Sequence, residues 1–290
     1  VAKISIIDGN NFFRRTFYHG YVEDNFHASL LGVLRPFLQL KNGSLKDSQV
    51  IMTFDTCKSE KRLALYPEYK GHRKSSLTEK QLEMYGKVFP SFIAICRNMK
   101  LRVLEGDGYE ADDYIAMLSF MLCNRHLVKI YSTDGDFPQL VSRNISVYSP
   151  NKKIEITSTN FQQVFGIAQE FYLDMKCMCG DDSDNIPGIN GVGEKTAMKY
   201  INKYGSYTDI CNALKAKKKL TKTDEKFLSF DAKQMELNKQ LMDLSLVKND
   251  KRLQELVKEK VKSVLGIDNN ALFALLCEYG ISEVYDQCKP

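Results

Sequence analysis

This chain predicts an α/β fold, a twisted, mostly parallel central sheet flanked by helices, on three observations. Short apolar runs of strand type recur at Lys3–Ile7, Gln49–Phe54 and Lys129–Tyr131. Each is followed within a few residues by an aspartate: Asp8, Asp55 and Asp134. Stretches with helical periodicity, at about 29–39 and 114–122, separate them, and strands that alternate with helices join through parallel crossovers. Ligands in open sheets of this kind gather at the carboxyl ends of strands, where the three acids fall.

At 290 residues the chain can hold one large domain or two modest ones around a sizeable core. Its formal charge is only +5, from 41 basic and 36 acidic residues. Eight cysteines form no regular framework, and the close pair Cys177 and Cys179 lacks metal-ligand spacing, so reduced thiols are expected. With no signal peptide and no apolar run of bilayer length, the expectation is a protein without a membrane partner, in the cytoplasm (a host cell's if phage-encoded).

Taken in order, the first run reads as a buried strand that ends in a turn at Asp8-Gly9-Asn10-Asn11. A helix over about 29–39 leads to the second strand and Asp55. Residues 57–97 then mix Lys58, Lys61, Arg62, Lys70, Arg73, Lys74, Lys80 and Lys87 with Tyr66, Tyr69, Tyr85, Phe89 and Phe92. Pro67, Gly71 and Ser75-Ser76 interrupt this insert, so it is expected to be helical in pieces. A basic and aromatic segment suits backbone neutralisation and base stacking on a single strand, whereas a plain surface helix packing its aromatics on the core is the alternative.

Tyr109-Glu110-Ala111-Asp112-Asp113 comes next, and Tyr114 to Leu122 reads as an amphipathic helix with Ile115, Ala116, Leu118 and Met121 turned inward. Residues three apart share a helix face, so Glu110 and Asp113 project together with Asp112 beside them. Asp134 and Asp136 alternate just past a strand end, which aims both to one side. Either piece alone reads as an ordinary acidic turn or helix start. Together, so many converging carboxylates would repel one another unless cations sat among them, which points to bound divalent metal.

A helix over about 168–179 runs into Gly180-Asp181-Asp182-Ser183-Asp184-Asn185-Ile186-Pro187. Gly188, Gly191 and Gly193 follow, before a helix through about Tyr204 on which Lys195, Lys199 and Lys203 line one face. Glycines before a helix start let backbone N–H groups approach a phosphate, though a tight turn between helices needs them too. Setting aside nine proposed carboxylates leaves 41 basic against 27 acidic residues, a surplus of 14 that suits a polyanionic substrate. Beyond Ser206 the chain is helical and lysine-rich, with a core-facing helix at 237–246, a solvated one at 251–262, and no residue assigned to catalysis.

The order of these motifs resembles the 5′-nuclease (flap endonuclease) superfamily. Asp8-Gly9, Asp55, Tyr69-Lys70-Gly71-His72-Arg73, Glu110-Ala111-Asp112-Asp113, Ser132-Thr133-Asp134-Gly135-Asp136 and Gly180-Asp181-x-x-Asp184 with Gly191-Val192-Gly193 carry the resemblance, over about Ile4 to Leu246. The chain looks most like the bacteriophage 5′→3′ exonucleases and is similar to the N-terminal nuclease domain of bacterial DNA polymerase I. The resemblance implies an α/β core over 1–178, with a helical arch at about 57–97. It also implies a helical region over 179–290, with a helix–three-turn–helix at about 180–205. Asp8, Asp55, Glu110, Asp112 and Asp113 match a first metal site, and Asp134, Asp136, Asp181 and Asp184 a second. Lys70 and Arg73 match the catalytic basic pair of the arch, Arg15 a basic position after the first strand, and Tyr69 an aromatic near the unpaired nucleotide. Lys74, Lys176, Lys195, Lys199 and the three glycines complete the expected DNA-binding set.

Oxygen ligands at this density suit two Mg²⁺ ions, with Mn²⁺ as a substitute, and K⁺ is the candidate monovalent ion on the glycine turn. The implied activity is metal-dependent hydrolysis of DNA phosphodiesters to 5′-phosphate and 3′-hydroxyl products, as in replication and RNA-primer removal. Expected partners are a 5′ flap, fork or nick, or an RNA primer on DNA, bound by a monomer. Two other readings compete: a toxin-type ribonuclease, which would lack the glycine turn and long insert, and a junction-binding protein without metals.

Overall fold

The computed structural model describes residues 1–72, 76–262 and 269–289. Its main sheet contains β1 (Lys3–Asp8), β2 (Gln49–Phe54), β3 (Arg102–Glu105), β4 (Leu127–Tyr131), β5 (Ile145–Ser149) and β6 (Ile154–Ile156). Their order is β3-β2-β1-β4-β5-β6, and every pair is parallel except β5 with β6. The sheet is thus mostly parallel, as expected. Strand order reverses between β1 and β4, the crevice where such sheets bind ligands. The registers Asp8↔Thr53 and Ile7↔Tyr131 bring the ends of β1, β2 and β4 level, so their trailing aspartates leave along one edge.

Both faces of the sheet are covered, which is why its strands read as continuous apolar runs. Ile4 and Ile6 join one apolar cluster, while Ile7 joins another with Phe13, Phe37 and Phe92. Helix α1 (Gly9–Gly20) begins at once after β1, so the expected turn at Gly9–Asn11 is instead a first helical turn. Asp8 caps it, accepting the Asn11 N–H at 3.0 Å. A Cβ on Gly9 would fall 2.3 Å from the Phe54 ring and 2.6 Å from the Thr53 carbonyl oxygen, so glycine alone lets α1 start flush against β2.

Helix α2 (Phe26–Asn42) extends past 29–39 in both directions. The insert contains α3 (Glu60–Leu65) and α4 (Glu79–Asn98), helical in pieces as expected. Phe92 is fully buried among Phe12, Phe13 and Phe37, so the core-packing alternative holds for it. Helix α5 (Ala111–Leu122) starts three residues before the expected Tyr114, because Glu110 and Asp113 form a capping box around its first turn.

The chain continues through α6 (Phe161–Phe165), α7 (Tyr172–Cys179) and the short antiparallel pair β7 (Gly180–Asp181) and β8 (Ile186–Pro187). Then come α8 (Glu194–Tyr204), α9 (Tyr207–Lys215), α10 (Lys222–Ser229), α11 (Ala232–Met242), α12 (Lys251–Lys262), α13 (Asn269–Glu278) and α14 (Tyr285–Cys288). The stretch 237–246 is not one helix: α11 stops at Met242, and Asp243 caps a separate 3-10 segment, Leu244–Asn249. One apolar cluster runs from Ile6 through Ile186 and Ile201 to Leu253, fusing these helices to the sheet. Leu272 and Leu276 of α13 return to the Phe37 side. All eight cysteines are free, and among the described residues no helix is long and apolar enough to cross a membrane.

Candidate active site

A cavity of about 270 Å³ opens at the carboxyl ends of β1, β2 and β4, lined by Asp8, Asp55, Asp112, Asp134, Asp136, Asp181 and Asp184. Arg14, Arg15 and Lys70 share its walls with Asn10 and Asn11. A larger groove of about 470 Å³ at the opposite end of β1 and β4 holds one carboxylate, Glu155, already paired with Lys129 at 2.7 Å. Size alone is therefore a poor guide here: the acidic side chains gather in the smaller cavity.

Backbone and hydroxyl donors fix the acids in place. Asp8 accepts the Ser132 hydroxyl at 2.7 Å, which links β1 to the end of β4. Asp55 accepts the Ala111 N–H, tying the end of β2 to the start of α5. Asp134 accepts the Asp136 N–H at 2.8 Å, while Asp181 accepts the N–H groups of Ser183 and Asp184. Asp136 Oδ1 meets Lys176 Nζ as an ion pair at 3.0 Å, without hydrogen-bond geometry.

The electrostatic cost of this arrangement is visible in the acids themselves. Burial pushes Asp8 up to about 7; Asp134 and Asp55 add to the push, and bonds from Asn11 and Ser132 oppose it. Burial, then the charges of Asp134, Asp55 and Asp8, hold Asp112 well above the usual carboxylate range. Asp134 is raised by burial with Asp181 and Asp184 adding, and burial lifts Asp136 to about 6 against Lys176. Among the described residues no three His, Cys, Asp or Glu side chains already converge tightly enough to hold an ion. Several are turned onto their own backbone caps: Asp8 onto Asn11, Asp134 onto Asp136 and Asp181 onto Ser183. The donor set fits a hard divalent cation: it is all oxygen, with seven aspartates crowded beside Arg14, Arg15 and Lys70.

A family model described as the 5′-3′ exonuclease N-terminal resolvase-like domain matches residues 3–166, and the 5′-3′ exonuclease C-terminal SAM fold matches residues 167–264. The chain belongs to the 5′-3′ exonuclease family. The 5′-3′ exonuclease of Mycoplasma pneumoniae (strain M129) is 30% identical over 290 residues, covering 95% of each chain. DNA polymerase I of Mycobacterium tuberculosis is 32% identical over 226 residues, which is 73% of this chain and 24% of that polymerase. A solved structure of T5 5′-exonuclease with bound divalent metal ions (zinc) superposes with a TM-score of 0.73 at 25% identity, covering 91% of this chain and 99% of that one. Family and fold both agree with the resemblance carried by the motifs.

Within this exonuclease-family chain, seven of the nine expected metal carboxylates line one cavity and two do not. Glu110 and Asp113 do project together, but onto Arg62 rather than into the cavity. Arg62 lies 3.1 Å from Glu110 Oε2 and 2.9 Å from Asp113 Oδ1, and its Nε donates to the Leu241 carbonyl at 3.0 Å. Despite the cost of burial, Asp113, Tyr69 and Glu110 drive its pKa further up. The other Glu110 oxygen takes Lys70 Nζ at 2.7 Å. Lys70 lines the cavity as a buried ammonium; against the cost of burial, Glu110, Asp184 and Asp112 raise its pKa.

Three further expectations are altered. Tyr69 is buried, donating to Glu110 and Asp184 at 3.0 Å each, so its ring is not presented to a nucleotide here. Lys176 sits among the acids rather than on an outer DNA-facing surface, because α7 packs against the Asp134–Asp136 turn. Gly188 packs rather than cradles: a Cβ there would lie 2.2 Å from the Cys179 carbonyl, and one on Gly180 2.4 Å from the Gly188 nitrogen. Gly191, at φ +71°, and Gly193, the cap of α8, are exposed beside Lys195 and Lys199, but Glu194 opens that helix with a negative charge. Arg73 and Lys74 lie outside the described residues. Arg62 was visible only as one of many basic residues in the insert, and Arg14 only as a neighbour of Arg15.

Proposed function

We propose that this chain is a divalent-metal-dependent 5′-nuclease that hydrolyses phosphodiester bonds in 5′-ended or branched DNA. The observation that carries the reading is the cavity of about 270 Å³, in which seven aspartates meet Lys70, Arg14 and Arg15 at the strand-order reversal. Asp8, Asp55 and Asp112 would hold one ion, and Asp134, Asp136, Asp181 and Asp184 a second, partly through water. Two such ions, Mg²⁺ with Mn²⁺ as substitute, would supply charge to both the attacking and the leaving oxygen at phosphorus.

The chain's own residues do the rest. Lys70 presents an ammonium to the cavity and would offset the charge that builds on the scissile phosphate, with Arg73 as its expected partner. Arg14 and Arg15, on the first helix beyond β1, would hold neighbouring phosphates. These contacts position a backbone without reading bases, so the substrate would be chosen by its structure: a flap, fork or nick. The exposed turn at Gly191 and Gly193 with Lys195 and Lys199 would hold the duplex, with K⁺ as its candidate ion. We assign the nuclease core to 1–178 and duplex holding to 179–290, with replication-linked removal of flaps or primers as the setting.

A labelled 5′-flap duplex incubated with and without Mg²⁺ tests this. Metal-dependent cutting near the junction is the expected result. Cutting of RNA alone would favour the ribonuclease reading, and a shifted but uncut duplex would favour a binding protein.

A further inference from the structure

Lys176 has a built environment that the reaction above does not use. Tyr172 and Lys176 are four residues apart on α7 and so share a face. Tyr172 donates its hydroxyl to the Gly135 carbonyl at 2.8 Å, which docks that face on the Asp134-Gly135-Asp136 turn. The ammonium lies directly against that turn: a Cβ at Gly135 would be in ordinary contact with Lys176 Nζ, at 3.7 Å. Nζ lies 3.0 Å from Asp136 Oδ1 and 3.9 Å from Asp181 Oδ2, with its side chain only 15% exposed. A long, flexible cation is thus fixed between two acids from different segments, both walls of the same cavity.

We propose that the Lys176 ammonium is a resident cation that holds Asp136 and Asp181 together without metal and competes with a divalent ion for them. It thereby sets the affinity of the weaker of two ion sites. This rests on the two-ion reading above. A neutral side chain at 176 would leave the same acids without their internal counter-charge, so an incoming ion would no longer displace one.

The test is Mn²⁺ binding to the full chain, followed by calorimetry and by the paramagnetic resonance of free Mn²⁺, for wild type, Lys176→Met and Lys176→Gln. The expected result is two ions in wild type, with the weaker site tightened about tenfold or more in both variants and the stronger one unchanged. An unchanged or loosened weaker site overturns the proposal. Wild type that binds no Mn²⁺ overturns the two-ion reading itself, so the two failures are distinct. Should both variants misfold, a wild-type crystal soaked in Mn²⁺ decides: Lys176 must leave Asp136 when an ion arrives beside it, and an ion bound there with that contact intact contradicts competition.

Discussion

Asp112 and Asp113 are neighbours in the chain, yet they belong to groups of acids with opposite electrical arrangements. Asp113, with Glu110, faces inward to Arg62, a guanidinium whose contacts reach both carboxylates and the Leu241 carbonyl. Asp112 is turned toward the cavity, where burial and the charges of Asp134, Asp55 and Asp8 hold its proton tightly. One helical step, about 100° of rotation, separates the two fates. The acids on Arg62 fasten α5 to α3 and α11; in the cavity seven aspartates crowd together, and burial and mutual repulsion raise Asp8, Asp112 and Asp134.

Substitutions can break this contrast, beginning where the effect should be largest. Arg62→Met strands the buried Asp113 carboxylate and takes one of two cations from Glu110, and should cost about 3–5 kcal/mol of stability, read from urea unfolding. A loss under 1 kcal/mol would show that the inner pair is not held by Arg62. Asp112→Asn should leave the fold intact but lower the cleavage rate by more than about a hundredfold, beyond what loss of an outer partner costs. A rate equal to that of wild type at saturating Mg²⁺ would remove Asp112 from the reaction.

The outer group also predicts a pH dependence. Asp8 at about 7 and Asp136 at about 6 stand above their ordinary value of 3.8, so the folded chain binds these protons more tightly than the unfolded one. Stability of the metal-free protein should therefore fall as pH rises from about 4 to 7, then level off. Divalent ions should raise Tm more at pH 7.5 than at pH 5; equal increments would mean that these acids do not meet the metal. The smallest effect sharpens the inner side: Tyr69→Phe, which deletes a hydroxyl shared by Glu110 and Asp184, should cost roughly 1–2 kcal/mol. A neutral result in thermal unfolding would mean those acids are satisfied without it.

Three strands of the sheet were legible because each is covered on both faces and followed by an acid. Asp8, Asp55 and Asp134 could be placed on one edge from that pattern alone. The rotation of α5 could not, since it is set by where the helix starts, and Glu110 moves that start ahead of the first apolar residue. Arg62 sits in a run of basic residues that looks solvated, and only the packing of α3 beneath α5 and α11 shows it buried. The close approach of Gly180 to Gly188 is a tertiary fact, invisible in spacing that also suits a phosphate turn. Lys176 did leave a signal: a lone lysine between the buried Met175 and Cys177 has to find a carboxylate.

Anomalous scattering from a Mn²⁺-soaked crystal tests the division between the two groups most directly. Two peaks are expected in the cavity, one near Asp8, Asp55 and Asp112 and one near Asp134, Asp136, Asp181 and Asp184, with Arg62 still on Glu110 and Asp113. An ion that displaces Arg62 from that pair, or a cavity without any peak, would contradict it.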